Sequence, residues 1–231
     1  MIKVTAMKWA PPFPAGMVRD MRVRWILNEV GWPYHVVLLD APGLKSAAHR
    51  AKQPFGQLPV LEEDGRPPLF ESGAIVVDVA SRAGRCIAAE GKAERLQAMQ
   101  WSFAALNTVE PSLFAVAEVA CLTEDEVVRE RRRPVVVAAA HERLRDLEHA
   151  LADRAYFVGE SFTVADLLMA AVLELAVRFD LIDRYPRLAA WQRTMFDRPA
   201  HRQAEAAQRA EMQAHSMADM RFDAVPEESA P

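Results

Sequence analysis

Two neighbouring stretches decide how this chain folds: Gln53-Pro-Phe-Gly-Gln-Leu-Pro59-Val-Leu-Glu-Glu-Asp-Gly65 and Leu69-Phe-Glu71-Ser72-Gly-Ala-Ile75. The Asp64-Gly65 pair between two short apolar runs is a strong signal for a β-hairpin. The sequence therefore predicts two antiparallel strands, Pro59 to Glu62 and Pro68 to Glu71. Ser72 is a favourable residue for starting a helix, so the second strand is expected to lead directly into one.

Upstream of these stretches, strand and helix signals alternate. Prolines at positions 11, 12 and 14 stop a first strand, because proline lacks the backbone N–H that a strand uses. A helix with apolar residues at helical spacing is expected from about Met17 and ends at Gly31. The predicted elements are a strand over Ile2 to Trp9, this helix, a strand over Tyr34 to Leu39, an irregular helix over Gly43 to Lys52, the hairpin, and a helix from Ser72 to Gly84, in the order β-α-β-α-β-β-α.

From residue 85 onward the pattern is helical. Pro111 falls inside the first long segment and is expected to kink it, because proline removes a backbone donor and crowds the preceding turn. We predict a first domain over residues 1–84, a linker over 85–92, an all-helical domain over 93–222 and a frayed acidic tail over 223–231. The predicted helices are Ala93 to Cys121, Glu124 to Ala152, Val164 to Asp180, Pro186 to Phe196 and Pro199 to His215.

Composition argues against several classes of function. The net charge of the 231 residues is −4, so neither nucleic acid nor an acidic membrane surface is an expected partner. The two cysteines, Cys86 and Cys121, have no metal-ligand or redox-pair spacing, and His141 and His149 share no i, i+4 spacing, so no metal is expected. The longest apolar segment, Val164 to Val177, contains two carboxylates and is not expected to span a bilayer. These features predict a cytoplasmic protein.

The two stretches together suit an extended peptide with an amino-acid head group. A cis bond before Pro59 would turn the N–H and C=O of Leu58 outward, ready to pair with such a peptide. Glu71 can pair with an ammonium group, and the positive end of the helix that starts at Ser72 favours a carboxylate. The plainer alternative is that Pro59 is only a turn residue and Ser72 only a helix cap.

As a set, these motifs resemble the glutathione-site signature of the glutathione transferase family: a Pro-Val-Leu segment, an Asp-Gly hairpin, then Glu-Ser-x-x-Ile. Met21-Arg22-Val23-Arg24 through Glu29-Val30-Gly31 is similar to the first helix of the plant-type and bacterial members. Tyr156-Phe-Val-Gly-Glu-Ser-Phe-Thr163-Val-Ala-Asp166 resembles the capping-box motif of their helical domain. The resemblance covers roughly residues 1 to 200. It implies an α/β thioredoxin-like N-terminal domain followed by an all-α C-terminal domain.

The resemblance also implies a glutathione site. The backbone of Leu58, beside Pro59, would hold the cysteinyl part of the peptide, and Glu71 with Ser72 would hold the γ-glutamyl head. Two further contacts would hold the rest of the peptide: Gln57 at its polar groups, and either Lys45 or His49 at the glycyl carboxylate.

The sequence departs from the family at the position that activates the glutathione thiol. Relatives place Ser, Cys or Tyr just after the first strand, whereas the resemblance aligns Met17 there, and a thioether cannot donate a hydrogen bond. The first 26 residues contain one hydroxyl, that of Thr5, which is expected within the strand. The remaining thiolate stabilisers are the backbone N–H groups of Met17 and Val18 at the helix start, the helix dipole, and Arg19.

Three apolar residues lie where the resemblance implies a pocket for the second substrate: Trp9, Phe13 and Phe103. The plainer alternatives are a rigid surface loop for the first two and core packing for the third.

The function that the resemblance implies is conjugation of glutathione, as co-substrate, to small apolar electrophiles, typical of detoxification. The alternatives are a non-catalytic member that binds glutathione or a protein, and a glutathione-dependent reductase, peroxidase or isomerase. The family further implies a homodimer, and a helix face of mixed sign suits a two-fold axis: Arg82, Arg85, Glu90 and Glu94.

Overall fold

The computed structural model describes residues 1–11, 13 and 16–221. The predicted tail over 223–231 and the prolines at 12 and 14 lie outside the described residues. By contact the chain divides into two compact units, one formed by Met1–Val79 with the stretch that begins at Ala200, the other by Ala80–Pro199. The last long helix thus groups with the N-terminal segment, whereas the sequence assigns it to the helical domain. The boundary at residues 85–92 stays a prediction.

The first unit is built on a four-stranded mixed sheet in the order β2-β1-β3-β4. β1 runs parallel to β2 and antiparallel to β3, and β3 pairs antiparallel with β4. Gly65 in the connecting turn has a φ of 80°, a left-handed value that glycine adopts without a steric cost. The predicted hairpin and the order of elements are confirmed. The strands are β1 (Ile2–Met7), β2 (Tyr34–Leu39), β3 (Val60–Glu63) and β4 (Leu69–Phe70).

Ten α-helices are described. The predicted irregular helix over Gly43 to Lys52 is instead two short helices, of which the first starts earlier because the Asp40 side chain caps it by accepting from the Gly43 N–H at 2.9 Å. The helices are α1 (Asp20–Val30), α2 (Ala41–Lys45), α3 (Ala47–Arg50), α4 (Ser72–Ala83), α5 (Ala93–Ala104), α6 (Glu110–Cys121), α7 (Glu126–Leu151), α8 (Val164–Arg178), α9 (Pro186–Phe196) and α10 (Pro199–Gln213).

α1 begins three residues later than predicted. The N–H of Met21 donates to the Val18 carbonyl at 2.8 Å, and the N–H of Arg22 donates to Arg19 at 3.3 Å, so residues 16–19 form turns and not a helix. The N-cap residue, Arg19, makes no side-chain cap hydrogen bond. Met17 and Val18 therefore precede the helix and do not lie within its first turn.

The core of the first unit lies between the sheet and its helices. Val23, Ile26 and Leu27 of α1 are fully buried, as their helical spacing predicts, and Val4 of β1 is buried with them. Complete burial of one such side chain contributes about 1.5–3 kcal/mol. α1 ends at Gly31, whose φ of 74° is the left-handed conformation common after a helix.

The second unit is helical throughout its described elements, and α8 lies at its centre. α8 packs against α5, α6 and α9, and α6 packs against α7. A π-helical turn over Ala105–Val109 lies between α5 and α6, just before Pro111, where the sequence predicts a kink. A wider turn at this point makes room for the proline ring, which would crowd the preceding turn of a regular α-helix.

The predicted capping box is present at the start of α8. Asp166 accepts hydrogen bonds from the Thr163 N–H at 2.8 Å and from its hydroxyl at 2.9 Å. The Phe157 N–H donates to the other carboxylate oxygen at 2.8 Å. One buried carboxylate thus holds both the helix start and the loop that precedes it.

Among the described residues no helix is long and apolar enough to cross a membrane.

Candidate functional site

The start of β3 carries the predicted cis peptide bond, Leu58–Pro59. Pro59 is buried and Leu58 is half-buried. Directly after them, the Val60 N–H donates to Thr5 Oγ1 at 2.7 Å, which ties β3 to β1. Thr5 is 3% exposed and its hydroxyl joins β1 to β3, so the hydroxyl is not placed to serve a bound thiol.

The loop before Leu58 is fixed by two buried side chains. Gln53 Oε1 accepts from the N–H of Phe55 at 2.7 Å and from the N–H of Gln57 at 3.1 Å. His49 Nε2 lies 2.8 Å from the Gln57 carbonyl oxygen, and because a carbonyl only accepts, Nε2 carries the proton. The backbone of Gln57 is therefore held from both sides while its side chain stays exposed.

Lys45 and His49, the two candidates for the glycyl carboxylate, have different environments. His49 is 5% exposed and uses its ring to fix the loop. Lys45 is exposed and ends α2. The ring of His49 is already used on the Gln57 carbonyl, whereas Lys45 is accessible, so the geometry favours Lys45 over His49.

Glu71 and Ser72 lie beside the cis-proline segment. Val60 pairs with Phe70 across the hairpin, so the residues that flank this pair, Pro59 and Glu71, are neighbours at the end of the ladder. Glu71 has a φ of 70°, a left-handed backbone that costs a non-glycine residue about 1–3 kcal/mol and is common at binding sites. Its carbonyl accepts from the Ile75 N–H at 2.9 Å, which starts α4, and its side chain is exposed.

Arg22 lies against the candidate site, where the sequence does not predict it. It is 5% exposed, and its Nη1 donates to the Ser72 hydroxyl at 3.4 Å, so a guanidinium adds positive charge at the start of α4. The available signal was spacing, because Arg22 precedes Ile26 by one helical turn and therefore shares the buried face of α1. A charged residue on such a face is rare unless it has a partner or a function.

The turn before α1 contains the predicted thiolate stabilisers. Met17 and Val18 are half-buried and Arg19 is exposed. The turn is anchored from a distance, because the Gly16 N–H donates to Gln208 Oε1 of α10 at 2.9 Å.

The residues predicted for the second-substrate pocket belong to different units. Trp9 is half-buried and Phe13 is 37% exposed in the first unit, and Phe103 is 57% exposed on α5 in the second. Their assembly into one pocket stays a prediction. No group of three His, Cys, Asp or Glu side chains able to hold a metal ion occurs within residues 1–11, 13 and 16–221.

Comparison with known proteins gives the same family for both parts of the chain. Residues 20–85 match the model of the glutathione S-transferase N-terminal domain, and residues 113–199 match that of the C-terminal domain. The chain is 30% identical over 191 residues to glutathione S-transferase 1 of Zea mays, which covers 75% of this chain and 85% of the relative.

Solved structures agree with this match. A glutathione S-transferase from Pseudomonas fluorescens superposes with a TM-score of 0.72 at 26% identity, covering 87% of this chain and 96% of that one. The glutathione transferase URE2P8 from Phanerochaete chrysosporium, solved with oxidized glutathione, superposes with a TM-score of 0.80 at 21% identity, covering 93% and 97%. At that identity the second likeness concerns the fold alone.

Proposed function

Because this chain belongs to the glutathione S-transferase family, with its thioredoxin-like N-terminal domain and helical C-terminal domain, we propose that it binds glutathione and conjugates it to small apolar electrophiles. The observation that carries the proposal is the arrangement at the hairpin. The cis Leu58–Pro59 segment and the left-handed Glu71 lie side by side, and Ser72 begins α4 with Arg22 against its hydroxyl. A peptide with an α-amino acid at one end fits these groups.

Each end of the γ-glutamyl head has a partner in this arrangement. The exposed Glu71 carboxylate pairs with the ammonium group. The α-carboxylate lies against the Ser72 hydroxyl and the free N–H groups at the start of α4, where the helix dipole and the Arg22 guanidinium are both favourable to a negative charge. The N–H and C=O of Leu58 pair with the cysteinyl residue, as another strand would.

The glycyl end is assigned to Lys45, because His49 is committed to the Gln57 carbonyl. The exposed Gln57 side chain contacts the polar groups of the same end. His49 then acts indirectly, since it holds the backbone that leads into Leu58.

The thiol is activated without a side-chain hydroxyl in this proposal. The N–H groups of Met17 and Val18 point partial positive charge at the sulfur, and Arg19 adds a full one, so the thiol loses its proton to solvent more readily. The thiolate then attacks the electrophile, a carbon–sulfur bond forms, and the electrophile releases a leaving group or takes up a proton. Trp9, Phe13 and Phe103 are proposed to contact the apolar electrophile.

A second candidate is a member that binds glutathione or a protein partner without activating the thiol. Two observations favour it: Met17 cannot donate a hydrogen bond, and the Thr5 hydroxyl is used between β1 and β3. A reductase, peroxidase or isomerase that uses glutathione shares the binding site with a transferase and differs in its products.

The deciding experiment is a titration of the glutathione thiol in the complex, followed by the ultraviolet absorbance of the thiolate. A transferase lowers the pKa of the bound thiol below that of free glutathione. An equal or higher pKa would favour the non-catalytic candidate. Met17→Ala removes no donor and should leave the bound pKa nearly unchanged, whereas Met17→Ser introduces a donor and should lower it.

We also propose that the protein is a cytoplasmic homodimer, with the two-fold axis near Arg82, Arg85, Glu90 and Glu94. Its chain mass is 25.8 kDa, so sedimentation at about twice that mass is expected. A single species at the chain mass would contradict the dimer.

A further inference from the structure

The inner face of α10 carries a buried glutamine whose amide forms hydrogen bonds through both its nitrogen and its oxygen. Gln208 is 1% exposed, and its Nε2 donates to both carboxylate oxygens of Asp20 at 2.9 Å. Its Oε1 accepts from the Gly16 N–H at 2.9 Å. Gly16 and Asp20 are the two ends of the turn that contains Met17 and Val18. One side chain therefore spans this turn from beginning to end.

Asp20 is itself held in place. It is completely buried, and Arg24 Nε donates to its Oδ2 at 2.7 Å. Arg24 also makes two hydrogen bonds to Glu211, of 2.6 and 3.2 Å, and Glu211 follows Gln208 by three residues on α10. A chain of contacts thus starts and ends on α10, running through Gln208, Asp20, Arg24 and Glu211. Rotation of Gln208 alone would break hydrogen bonds at both the nitrogen and the oxygen of its amide.

An apolar contact holds the middle of the same turn. Ala10 and Met212 form a small buried cluster, and the half-buried Val18 and Met7 pack against it. Met212 lies one helical turn after Gln208 on α10. The helix therefore touches the turn at Gly16, near Val18 and at Asp20, which are its start, its centre and its end.

We propose that Gln208 is a positioning residue for the thiol of bound glutathione, because it sets the direction in which the main-chain N–H groups of Met17 and Val18 point. The inference rests on the proposed function. In a relative with a serine or tyrosine at position 17, a side chain can adjust to the sulfur by rotation. Main-chain N–H groups adjust only when the backbone moves, and their interaction weakens steeply with misalignment. This chain therefore needs an external support for the turn, and α10 provides it.

The test compares two substitutions on one helix. Gln208→Met preserves the length of the side chain and removes all three hydrogen bonds, and Gln203→Met makes the same change at an exposed position of α10. Three quantities are measured for each: the amide hydrogen exchange of residues 16–20 without glutathione, the dissociation constant of glutathione, and the pKa of the bound thiol.

For Gln208→Met, amide exchange at Gly16 should accelerate on the order of tenfold or more, because its hydrogen-bond acceptor is lost. The pKa of the bound thiol should rise, while the affinity for glutathione with a protonated thiol, measured below the bound pKa, changes less than about threefold, because Glu71, Ser72 and Leu58 are untouched. Gln203→Met should match the wild type in all three. An unchanged thiol pKa in Gln208→Met, with glutathione still bound, overturns the proposal.

The wild-type protein provides a separate check that does not require the variant to fold. The Gly16 N–H lies outside any helix or strand, yet it should exchange slowly because Gln208 holds it. Rapid exchange of this amide in the wild type overturns the inference. Failure of the proposed function looks different, because then glutathione does not bind to the wild type, or its bound thiol pKa is not lowered, whatever the exchange at Gly16.

Discussion

The starts of α1 and α8 each bury an aspartate in the first helical turn, but the two carboxylates are stabilised by different kinds of partner. Asp20 in α1 and Asp166 in α8 are both fully buried. Asp166 finds its partners within nine residues, at Thr163 and Phe157. Asp20 finds one partner a helical turn away, Arg24, and the other 188 residues along the chain, Gln208.

Burial raises the pKa of both carboxyl groups, and hydrogen bonds act against that rise in each. For Asp166 the opposing bonds come from the Phe157 and Thr163 N–H groups and the Thr163 hydroxyl. For Asp20 the rise in pKa is opposed by the positive charge of Arg24 and by the hydrogen bonds that Gln208 and Arg24 donate. The start of α8, which stabilises the fold, is thus encoded in a few consecutive residues. The start of α1, beside the candidate thiol site, depends on a charged partner and on a residue near the far end of the chain.

The largest expected effect follows from removing the charged partner at the first of these two sites. Arg24→Met leaves the Asp20 carboxylate buried without its cation and should lower the free energy of unfolding by about 3–5 kcal/mol at neutral pH. Because the folded pKa of Asp20 is raised above its unfolded value, the protonated form is the one that folding favours. Arg24 opposes this rise, so its removal raises the folded pKa further. The loss should therefore be smallest in acid, where Asp20 is protonated in both proteins, and should grow as the pH rises from the folded pKa of the wild type towards that of the variant. Urea unfolding at several pH values measures both.

The control for this substitution is Arg187→Met, which removes an exposed arginine whose Nε lies 3.3 Å from the exposed Asp153. An exposed pair of this kind contributes about 0–1 kcal/mol. If Arg24→Met costs no more than Arg187→Met, then Asp20 does not depend on its cation and the contrast with α8 is lost.

A smaller effect is expected when the carboxylate of Asp166 is removed from the start of α8. Asp166→Ala deletes the capping box and the acceptor of the Phe157 N–H, so it should cost about 2–3 kcal/mol of unfolding free energy, more than an ordinary cap. Asp125 supplies the comparison, because it is an exposed N-cap of α7 whose side chain accepts from the Val128 N–H at 3.0 Å. Asp125→Ala should cost about 1 kcal/mol. Neither change should alter glutathione affinity in the folded protein, and a large loss of affinity in Asp166→Ala would show that α8 also acts on the site.

The next effect concerns binding and not folding. Glu71→Ala should weaken glutathione binding by about 2 kcal/mol, because the ammonium group loses its charged partner. The turnover number at saturating glutathione should fall much less, since contacts with the remote γ-glutamyl head change little during the reaction. Glu160→Ala, at an exposed position of the second unit, is the matched control. Unaltered affinity in Glu71→Ala would remove the head-group site as described above.

The smallest effect is expected at Asp40, which caps α2 and is bonded to Arg221. Burial opposes ionisation of Asp40, but the Gly43 N–H and the Arg221 guanidinium outweigh it, so its pKa lies below the ordinary value. A lowered pKa contributes stability above the ordinary aspartate range, and this stability is lost as the pH falls through the folded pKa. Asp40→Asn keeps a cap and removes the charge, so it should cost about 0.5 kcal/mol near neutral pH and nothing in strong acid. Thermal unfolding at pH 7 and in acid measures both losses, and an equal loss at the two pH values would contradict this expectation.

The elements that the sequence predicted well are those whose signals are local. The hairpin at Asp64-Gly65, the end of α1 at Gly31 and the capping box at Thr163 and Asp166 depend on neighbours within a few residues, and each is confirmed. The cis bond at Leu58–Pro59 was predicted in the same way.

The details that the sequence did not predict depend on distant partners. The sequence predicts the start of α1 at about Met17, because no neighbouring residue in the sequence indicates that Gln208 accepts from the Gly16 N–H. The contact of Arg22 with Ser72 joins residues 50 positions apart, and local spacing indicates only that Arg22 is buried. The resemblance implies either Lys45 or His49 at the glycyl carboxylate, and the sequence cannot separate them because the partner of His49, a backbone carbonyl, has no signature in it.

The dependence of the first unit on α10 has a consequence for synthesis on the ribosome. A nascent chain that ends before Pro199 already contains β1, α1 and the hairpin, but Asp20 still lacks Gln208 and Arg24 still lacks Glu211. Domains whose residues are contiguous can fold as they emerge, N-terminal first. Here the N-terminal unit completes its contacts only once α10 has been synthesised, whereas the residues of the second unit are contiguous and all precede Ala200. A premature stop after α9 would therefore spare the helical unit and leave the N-terminal one incomplete.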